Sequence, residues 1–200
     1  MSQPSDTTTI RFYEDHADAY ISGTVDVDME SLYRPFIQLL PAGGTILDAG
    51  CGSGRDARAF LDRGYQVTAI DASAQMVKAT TRLTGHPAEQ LRFQKMEFQG
   101  EFDAVWACAS VLHVPLAELD DVLSRFFIAL RPGGTFYLSF KEGKGERTER
   151  GRHFTDFTAN SLRTKLEQQS SVSVLRIWTT NGLRPGRVDE RWVNAIIRKV

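Results

Sequence analysis

The sequence is poor in almost everything that would staple, anchor or charge a protein. It holds two cysteines, Cys51 and Cys108, in 200 residues. Neither has metal-ligand spacing, so a disulfide framework and a cysteine-based metal site are not expected. Both read as small buried fillers in a reducing compartment. Lysine and arginine number 24 against 25 aspartates and glutamates, a net charge of -1. That balance lacks the broad basic field of a large nucleic-acid footprint. No apolar run approaches the roughly 18 residues needed to cross a bilayer, so no membrane partner is expected. The first ten residues, MSQPSDTTTI, have no basic segment followed by an apolar one. No signal peptide is therefore read, and a cytoplasmic location is the default. Internal repeats and low-complexity tracts are also missing.

What is present is an ordinary globular composition, 42% hydrophobic and 24% charged, in a regular alternation of strand and helix signals. A chain of this length buries roughly 70% of its unfolded surface and needs no staple. Short apolar strands are expected at Thr45–Leu47, Tyr65–Ile70, Leu91–Met96, Phe102–Cys108 and Thr135–Phe140. Helical spacing lies between them, from Asp56 to Arg63, from Ser73 (an N-cap) to Gly85, and from Leu116 to Leu130. A helix over Thr158–Gln169 and two last strands, Val172–Thr179 and Trp192–Arg198, close the chain through a hairpin connection at Asn181-Gly182. Such alternation specifies an α/β fold: a Rossmann-like, seven-stranded, mostly parallel sheet with helices on both faces. The terminal hairpin makes the last strand antiparallel. Residues 1–43 are expected to form an N-terminal helical cap or lid, and residues 44–200 the main domain.

The stretch Leu47-Asp48-Ala49-Gly50-Cys51-Gly52-Ser53-Gly54 follows the first strand and opens a helix. A phosphate loop would need Lys-Ser/Thr after the last glycine, where Arg55-Asp56 stand. A dinucleotide fingerprint wants its third glycine at Arg55, with a pyrophosphate at the helix N-terminus. Asp48 and Asp56 would repel that pyrophosphate and attract a cation or an ammonium.

On this acid–glycine motif, on Asp71 at the end of strand two, on Lys95-Met96-Glu97-Phe98 after strand three, and on Leu130-Arg131-Pro132-Gly133-Gly134 before strand five, the sequence resembles the class I S-adenosylmethionine-dependent methyltransferase superfamily. The resemblance is strong from Ile46 to about Phe140. It implies S-adenosyl-L-methionine as cofactor and S-adenosyl-L-homocysteine as product. Asp48, Gly50, Cys51, Gly52 and Gly54 would then cradle the amino-acid end, and Asp71 would accept the ribose hydroxyls. Ala72, Met76, Met96, Glu97 and Phe98 would surround adenine, with Glu97 in place of the more usual aspartate. Ala107 and Ala109 would face the cofactor at the exit of strand four. Met76 reads more readily as core.

Methyl transfer from a sulfonium needs alignment in a dry pocket, which is worth roughly 7–11 kcal/mol, and a general base only where the acceptor demands one. His113, on the strand-four exit, and Tyr13, in an N-terminal lid that also carries Tyr20, are the candidate catalytic groups. A helix-capping histidine and a plain docking helix are the bland alternatives. Arg147, Arg152 and Arg184 are candidates for holding an anionic acceptor, against the alternative of a solvated charged loop. The expected activity is methylation of an O, N or S centre of a small acceptor, anionic ones included. A tRNA or other nucleic-acid methyltransferase is the alternative, although Ala109-Ser110-Val111-Leu112 stands where base-amino methylation usually has Asn/Asp-Pro-Pro-aromatic. A non-catalytic S-adenosylmethionine-binding domain and a nicotinamide oxidoreductase are less favoured.

Overall fold

The computed structural model describes residues 4–200; residues 1–3 of the expected cap lie outside the described residues. Three helices lead the chain: α1 (Pro4–Asp15), α2 (Ala17–Ser22) and α3 (Glu30–Ile37). The alternating part follows as β1 (Thr45–Ala49), α4 (Arg55–Leu61), β2 (Gln66–Asp71), α5 (Ala74–Thr84), β3 (Ala88–Gln90), β4 (Phe102–Ala107), α6 (Leu116–Ala129) and β5 (Leu130–Lys141). It continues with β6 (Gly145–Glu149), β7 (Arg152–Asp156), α7 (Ala159–Glu167), β8 (Val172–Asn181) and β9 (Arg191–Lys199).

Seven strands form one sheet in the order β3-β2-β1-β4-β5-β9-β8. The first five are parallel, and β9 runs antiparallel between β5 and β8. This is the expected Rossmann-like architecture. Among the described residues no helix is long and apolar enough to cross a membrane.

The pleat sorts side chains onto two faces with a period of two. Leu47, Ala49, Val105, Ala107, Phe136 and Leu138 face one core, with α6 and α7 supplying Leu123, Phe126 and Leu162. Ile46, Ala104, Trp106, Tyr137 and Ile196 face the other, against Leu32, Tyr33 and Phe36 of α3 and Phe60 of α4. Trp106 and Tyr137 stack with centroids 3.9 Å apart at the centre of that second layer. Because α3 contributes fully buried Phe36, the N-terminal segment packs onto the sheet as part of the core.

Several boundaries differ from the sequence reading, each for a local reason. The third strand covers Ala88–Gln90 instead of Leu91–Met96, and Phe93–Lys95 is a 3-10 turn. At the sheet edge β3 needs only enough residues to pair Ala69 through Asp71, and the apolar Leu91 and Phe93 then pack as loop residues against the core. The Arg131–Gly134 turn is absorbed into β5, with a register shift opposite Phe102/Ala104. The charged stretch after β5 is a hairpin, β6 against β7, because Arg150-Gly151 takes positive φ at both positions (50° and 77°) and turns the chain. The two final strands are joined by residues 182–190, a longer link than the two-residue turn that Asn181-Gly182 suggested. The Ser73 N-cap is as read: its hydroxyl accepts from the Met76 amide at 3.3 Å, and Gly85 ends α5 at φ 74°.

Candidate functional site

The carboxyl ends of β1, β2 and β4 open onto one edge of the sheet, where ligands bind in open α/β folds. After Ala49 the backbone turns through Gly50 (φ 78°), Gly52 (φ 54°) and Gly54 (φ 82°), a region of conformational space that favours glycine. Two of these positions also lack room. A Cβ on Gly50 would lie 2.4 Å from the Ser110 Cβ, and one on Gly54 would lie 2.8 Å from the Thr80 Cα. The amides of Gly50 and Cys51 both donate to the Ile70 carbonyl, tying the turn to β2. One residue on, the Asp71 carboxylate accepts from the Gly52 amide at 3.0 Å and the Ser73 amide at 2.9 Å. Burial pushes the Asp71 carboxyl up to about 6, against the lowering effect of those bonds.

Asp48 lies under the turn, 2% exposed, and its Oδ2 has no hydrogen-bond partner. Burial first, and the neighbouring Asp56 second, raise its pKa well above the carboxylate range. Asp56 is different. It accepts from the Arg55 Nε at 2.6 Å, from the Trp106 indole at 2.8 Å and from the Tyr33 hydroxyl. Burial alone would raise its pKa, but the Arg55 charge and these three donors outweigh it and hold Asp56 ionised. Of the two acids expected to attract a cation, only Asp48 is left without one.

Two cavities meet above this edge. The first, about 710 Å³, is lined by Gly50, Gly52, Asp71, Ala72 and Met76 on one side and Leu91, Phe93 and Gln94 on the other. The second, about 850 Å³, lies over β5, β9 and the 182–190 link, with Cys108, Leu112, Ser139, Phe154 and Trp192 in its walls. Tyr13, Tyr20, Ala109 and His113 line both. They are the partition.

The partition is built from α1, α2 and the strand-four exit. Tyr13 and Tyr20 meet edge to face at 5.0 Å between centroids. The Tyr13 hydroxyl lies 2.8 Å from Nε2 of His113, and Nδ1 of His113 lies 2.6 Å from the His153 carbonyl. A carbonyl only accepts, so Nδ1 carries the proton, Nε2 is bare, and the Tyr13 hydroxyl donates to it. Burial lowers the His113 pKa to about 3, with Arg152 adding to the shift. The imidazole is therefore neutral throughout the physiological range. Ala109 takes φ 53°, and its amide donates to the Ser139 hydroxyl at 2.8 Å. A non-glycine residue in this region is uncommon, and here it turns the backbone away from β4 directly at the junction of the cavities. Helix α1 is tied down from the other side by the Thr9 hydroxyl, which accepts from the His153 amide at 2.9 Å.

The family model for a methyltransferase domain matches residues 46–134, from β1 through the glycine turn into β5. Residues 46–134 are thus a methyltransferase domain, and the fold is that of the class I S-adenosylmethionine-dependent methyltransferases. Among curated relatives it is 31% identical over 109 residues to the ubiquinone biosynthesis O-methyltransferase of Xanthomonas axonopodis pv. citri, covering 51% of this chain and 45% of that protein. It is 32% identical over 142 residues to the S-adenosyl-L-methionine-dependent Diels-Alderase iliD of Neonectria sp., covering 68% of this chain and 54% of the relative. The chain thus spans about half the length of these curated relatives. Among solved structures, the 1,6-didemethyltoxoflavin-N1-methyltransferase of Burkholderia thailandensis, crystallised with 1,6-didemethyltoxoflavin and S-adenosylhomocysteine, superposes with a TM-score of 0.75 at 21% identity. That superposition covers 100% of this chain and 92% of the other.

Around this methyltransferase domain the residues singled out in the sequence fall into three groups. Tyr13, Tyr20, Gly50, Gly52, Asp71, Ala72, Met76, Ala109 and His113 line the first cavity, and Arg152 and Arg184 the second. Asp48, Cys51 and Gly54 sit beneath the turn and support it; the Gly54 amide donates to the Cys51 carbonyl at 2.9 Å, and the Thr80 hydroxyl donates to the Cys51 Sγ at 3.2 Å. The remainder are not where they were expected. Ala107 points into the α6 side of the core because it shares the pleat of Val105. Met96 is buried in that same core with its carbonyl taken by Arg125, Glu97 is exposed, and Phe98 packs on Phe102. With β3 ending early, the wall of the first cavity opposite the glycine turn is made by Leu91, Phe93 and Gln94 instead. Arg147 lies outside both linings, paired with Asp156 and Glu149. Ser110, which the sequence reading passed over, is held by a 2.6 Å bond to the Ala49 carbonyl and fills the space left by Gly50. Its signal was the need for a small residue opposite that glycine.

Proposed function

We propose that this protein uses S-adenosyl-L-methionine to methylate an oxygen, nitrogen or sulfur centre of a small molecule held in the second cavity. The observation that carries this reading is the shared wall: a nucleoside-type cavity and an acceptor-sized cavity abut at Tyr13, Tyr20, Ala109 and His113. The residues present fit the cofactor. Asp71 offers carboxylate oxygens to a vicinal diol, the bare backbone of Gly50 and Gly52 admits close approach, and the unpartnered Oδ2 of Asp48 offers an acceptor beneath the turn, which a bound ammonium would favour in its ionised form. When bound, the cofactor supplies an electrophilic methyl on a sulfonium.

The chain's own residues do the rest. Phe93, Leu91 and Met76 provide apolar walls for a flat ring. Tyr20 lies over Gly52, close enough that a Cβ there would approach the phenol ring to 3.3 Å, and so closes the turn against water. Tyr13 is held in one orientation by its bond to His113, whose tautomer is fixed by His153. With its proton directed to His113, the Tyr13 oxygen can accept from an N–H or O–H that flanks the acceptor's nucleophilic atom at the partition, and so orients that atom.

Titration calorimetry with S-adenosylhomocysteine tests the cofactor, and transfer of a labelled methyl to small-molecule fractions tests the activity. Micromolar or tighter binding and label in small molecules are expected. Absence of S-adenosylhomocysteine binding, or label found only in tRNA, overturns the reading. Tyr13→Phe is expected to lower kcat by about 2- to 12-fold, the range of a lost oriented hydrogen bond between neutral groups of about 0.5–1.5 kcal/mol. S-adenosylhomocysteine affinity should stay within about three-fold, since the phenyl ring still covers the cavity. An unchanged kcat removes Tyr13 from the chemistry.

A further inference from the structure

The second cavity is lined by five cations, Arg55, Lys141, Arg152, Arg184 and Arg187, against one carboxylate, Glu190. Three of the five are matched within the protein: Arg55 by Asp56 at 2.6 Å, Arg187 by Glu190 at 2.8 Å and Lys141 by Glu190 at 3.2 Å. Two are not. Among the described residues Arg152 makes no ion pair, and its Nε is buried without a hydrogen-bond partner. Its guanidinium is gripped by aromatic rings, 4.4 Å from the Phe12 centroid and 5.1 Å from that of Phe154. Arg184 likewise has no carboxylate at ion-pair distance among the described residues. It is positioned by its Nε bond to the Gly23 carbonyl at 3.1 Å and by the Tyr20 ring at 5.6 Å. A Cβ on Gly23 would come within 2.8 Å of its Nη2. Both arginines are partly buried, and a cation partly withdrawn from water without a counter-charge gains from an anionic ligand.

Where these arginines stand matters as much as their number. Arg152 stacks on Phe12, the neighbour of Tyr13, and Arg184 lies on Tyr20. Tyr13 and Tyr20 form the partition through which a methyl group would pass. The anion is thus held at the junction, next to the reacting atom, and not at the far end of the acceptor cavity. Leu112, Phe154, Leu183 and Trp192 supply an apolar enclosure beyond it. A planar guanidinium fork suits a carboxylate bidentately.

Resting on the methyl-transfer reading above, we propose that the acceptor is an oxygen acid with an apolar body, bound already ionised, its anion held at the partition by Arg152 and Arg184. In the reaction a lone pair of the acceptor oxygen becomes the new O–C bond, and the electron pair of the broken S–C bond stays on sulfur. Negative oxygen and positive sulfonium are neutralised together, and no proton has to leave. The neutral, low-pKa His113 accords with this, since it is a poor store for a released proton.

The test is calorimetry on the protein saturated with S-adenosylhomocysteine, using 1-hydroxy-2-naphthoate and its uncharged carboxamide as probes. The carboxylate is expected to bind at least about ten-fold tighter, and Arg152→Gln or Arg184→Gln to reduce that preference to about three-fold or less while S-adenosylhomocysteine affinity changes by less than about two-fold. Arg152→Lys, which keeps the charge and loses the fork, should fall between wild type and the glutamine variant. Unchanged S-adenosylhomocysteine binding also shows that the variants fold. Equal affinities for the two probes, no binding of the carboxylate, or a preference that survives the double glutamine variant overturns the proposal. Failure of the wild type to bind S-adenosylhomocysteine strikes the methyl-transfer reading instead.

Discussion

Asp71→Ala is expected to abolish S-adenosylhomocysteine binding, and Asp71→Asn to weaken it by about 10²–10⁴-fold. Two hydrogen bonds from a ribose diol to a charged acceptor are worth about 1.5–3 kcal/mol each, which converts to that range. Alanine does more than remove those acceptors. It strips the Gly52 and Ser73 amides of their partner and so loosens the glycine turn. The same carboxylate gives a pH dependence. With a pKa of about 6 in the free protein, Asp71 is ionised at neutral pH and protonated in mild acid. A diol must then compete with a proton, so the dissociation constant should rise about ten-fold per pH unit below about 6 and be flat above it. Stability follows the opposite sense. The folded state holds this proton more tightly than the unfolded chain, so the contribution is present at low pH and is lost as pH rises through about 6. Calorimetry between pH 4.5 and 8 checks the first statement; affinity independent of pH across that window would show that Asp71 does not meet the ligand.

The second large effect is on folding. Asp56→Ala should destabilise the protein by about 3–5 kcal/mol, the cost of stranding a buried charge. For a chain of this length that is a fall in melting temperature of about 6–20 °C. Arg55, whose side chain is only 17% exposed, would lose its counter-ion, and Tyr33 and Trp106 their acceptor. These partners come from α3, α4 and β4, so one carboxylate joins the N-terminal helices to the sheet. Because the penalty is mostly that of the orphaned guanidinium, Arg55→Met added to Asp56→Ala should recover part of the loss. Thermal denaturation monitored by circular dichroism distinguishes the outcomes: a double variant as unstable as Asp56→Ala would place the cost in Tyr33 and Trp106 instead. Since the folded pKa of Asp56 lies below the usual carboxylate range, its contribution is full at neutral pH and fades only as pH falls through that value.

The architecture was legible because its signals are local. Apolar runs bounded by Gly, Pro and capping residues specify which segments are strands and helices, and strict alternation leaves a parallel sheet as the packing that buries them. The glycine turn and Asp71 were legible for the same reason. Backbone at positive φ with no room for a Cβ leaves a mark in sequence, and an acid at a strand end is a fixed address on the sheet edge. Glu97 was misplaced because β3 ends at Gln90, and strand length at a sheet edge is set by how many residues its neighbour offers for pairing, not by the run of apolar side chains. The β6–β7 hairpin was missed because its alternation is of charges, whose cross-strand pairing is invisible until the partner strand is in place.

By itself, then, the sequence determined the order of elements, the bare turn after β1 and the acids around it, since each of these depends on neighbours a few residues away. Only the tertiary structure decided that Asp56 is spent on Arg55, Tyr33 and Trp106 while Asp48 is not, that Tyr13 meets His113 across 100 residues of chain, and that among the described residues Arg152 and Arg184 are the cations facing the second cavity without an ion-pair partner. Charge compensation and hydrogen-bond partnership depend on distances of a few ångströms between segments far apart in sequence, and the packing of the layers sets those distances.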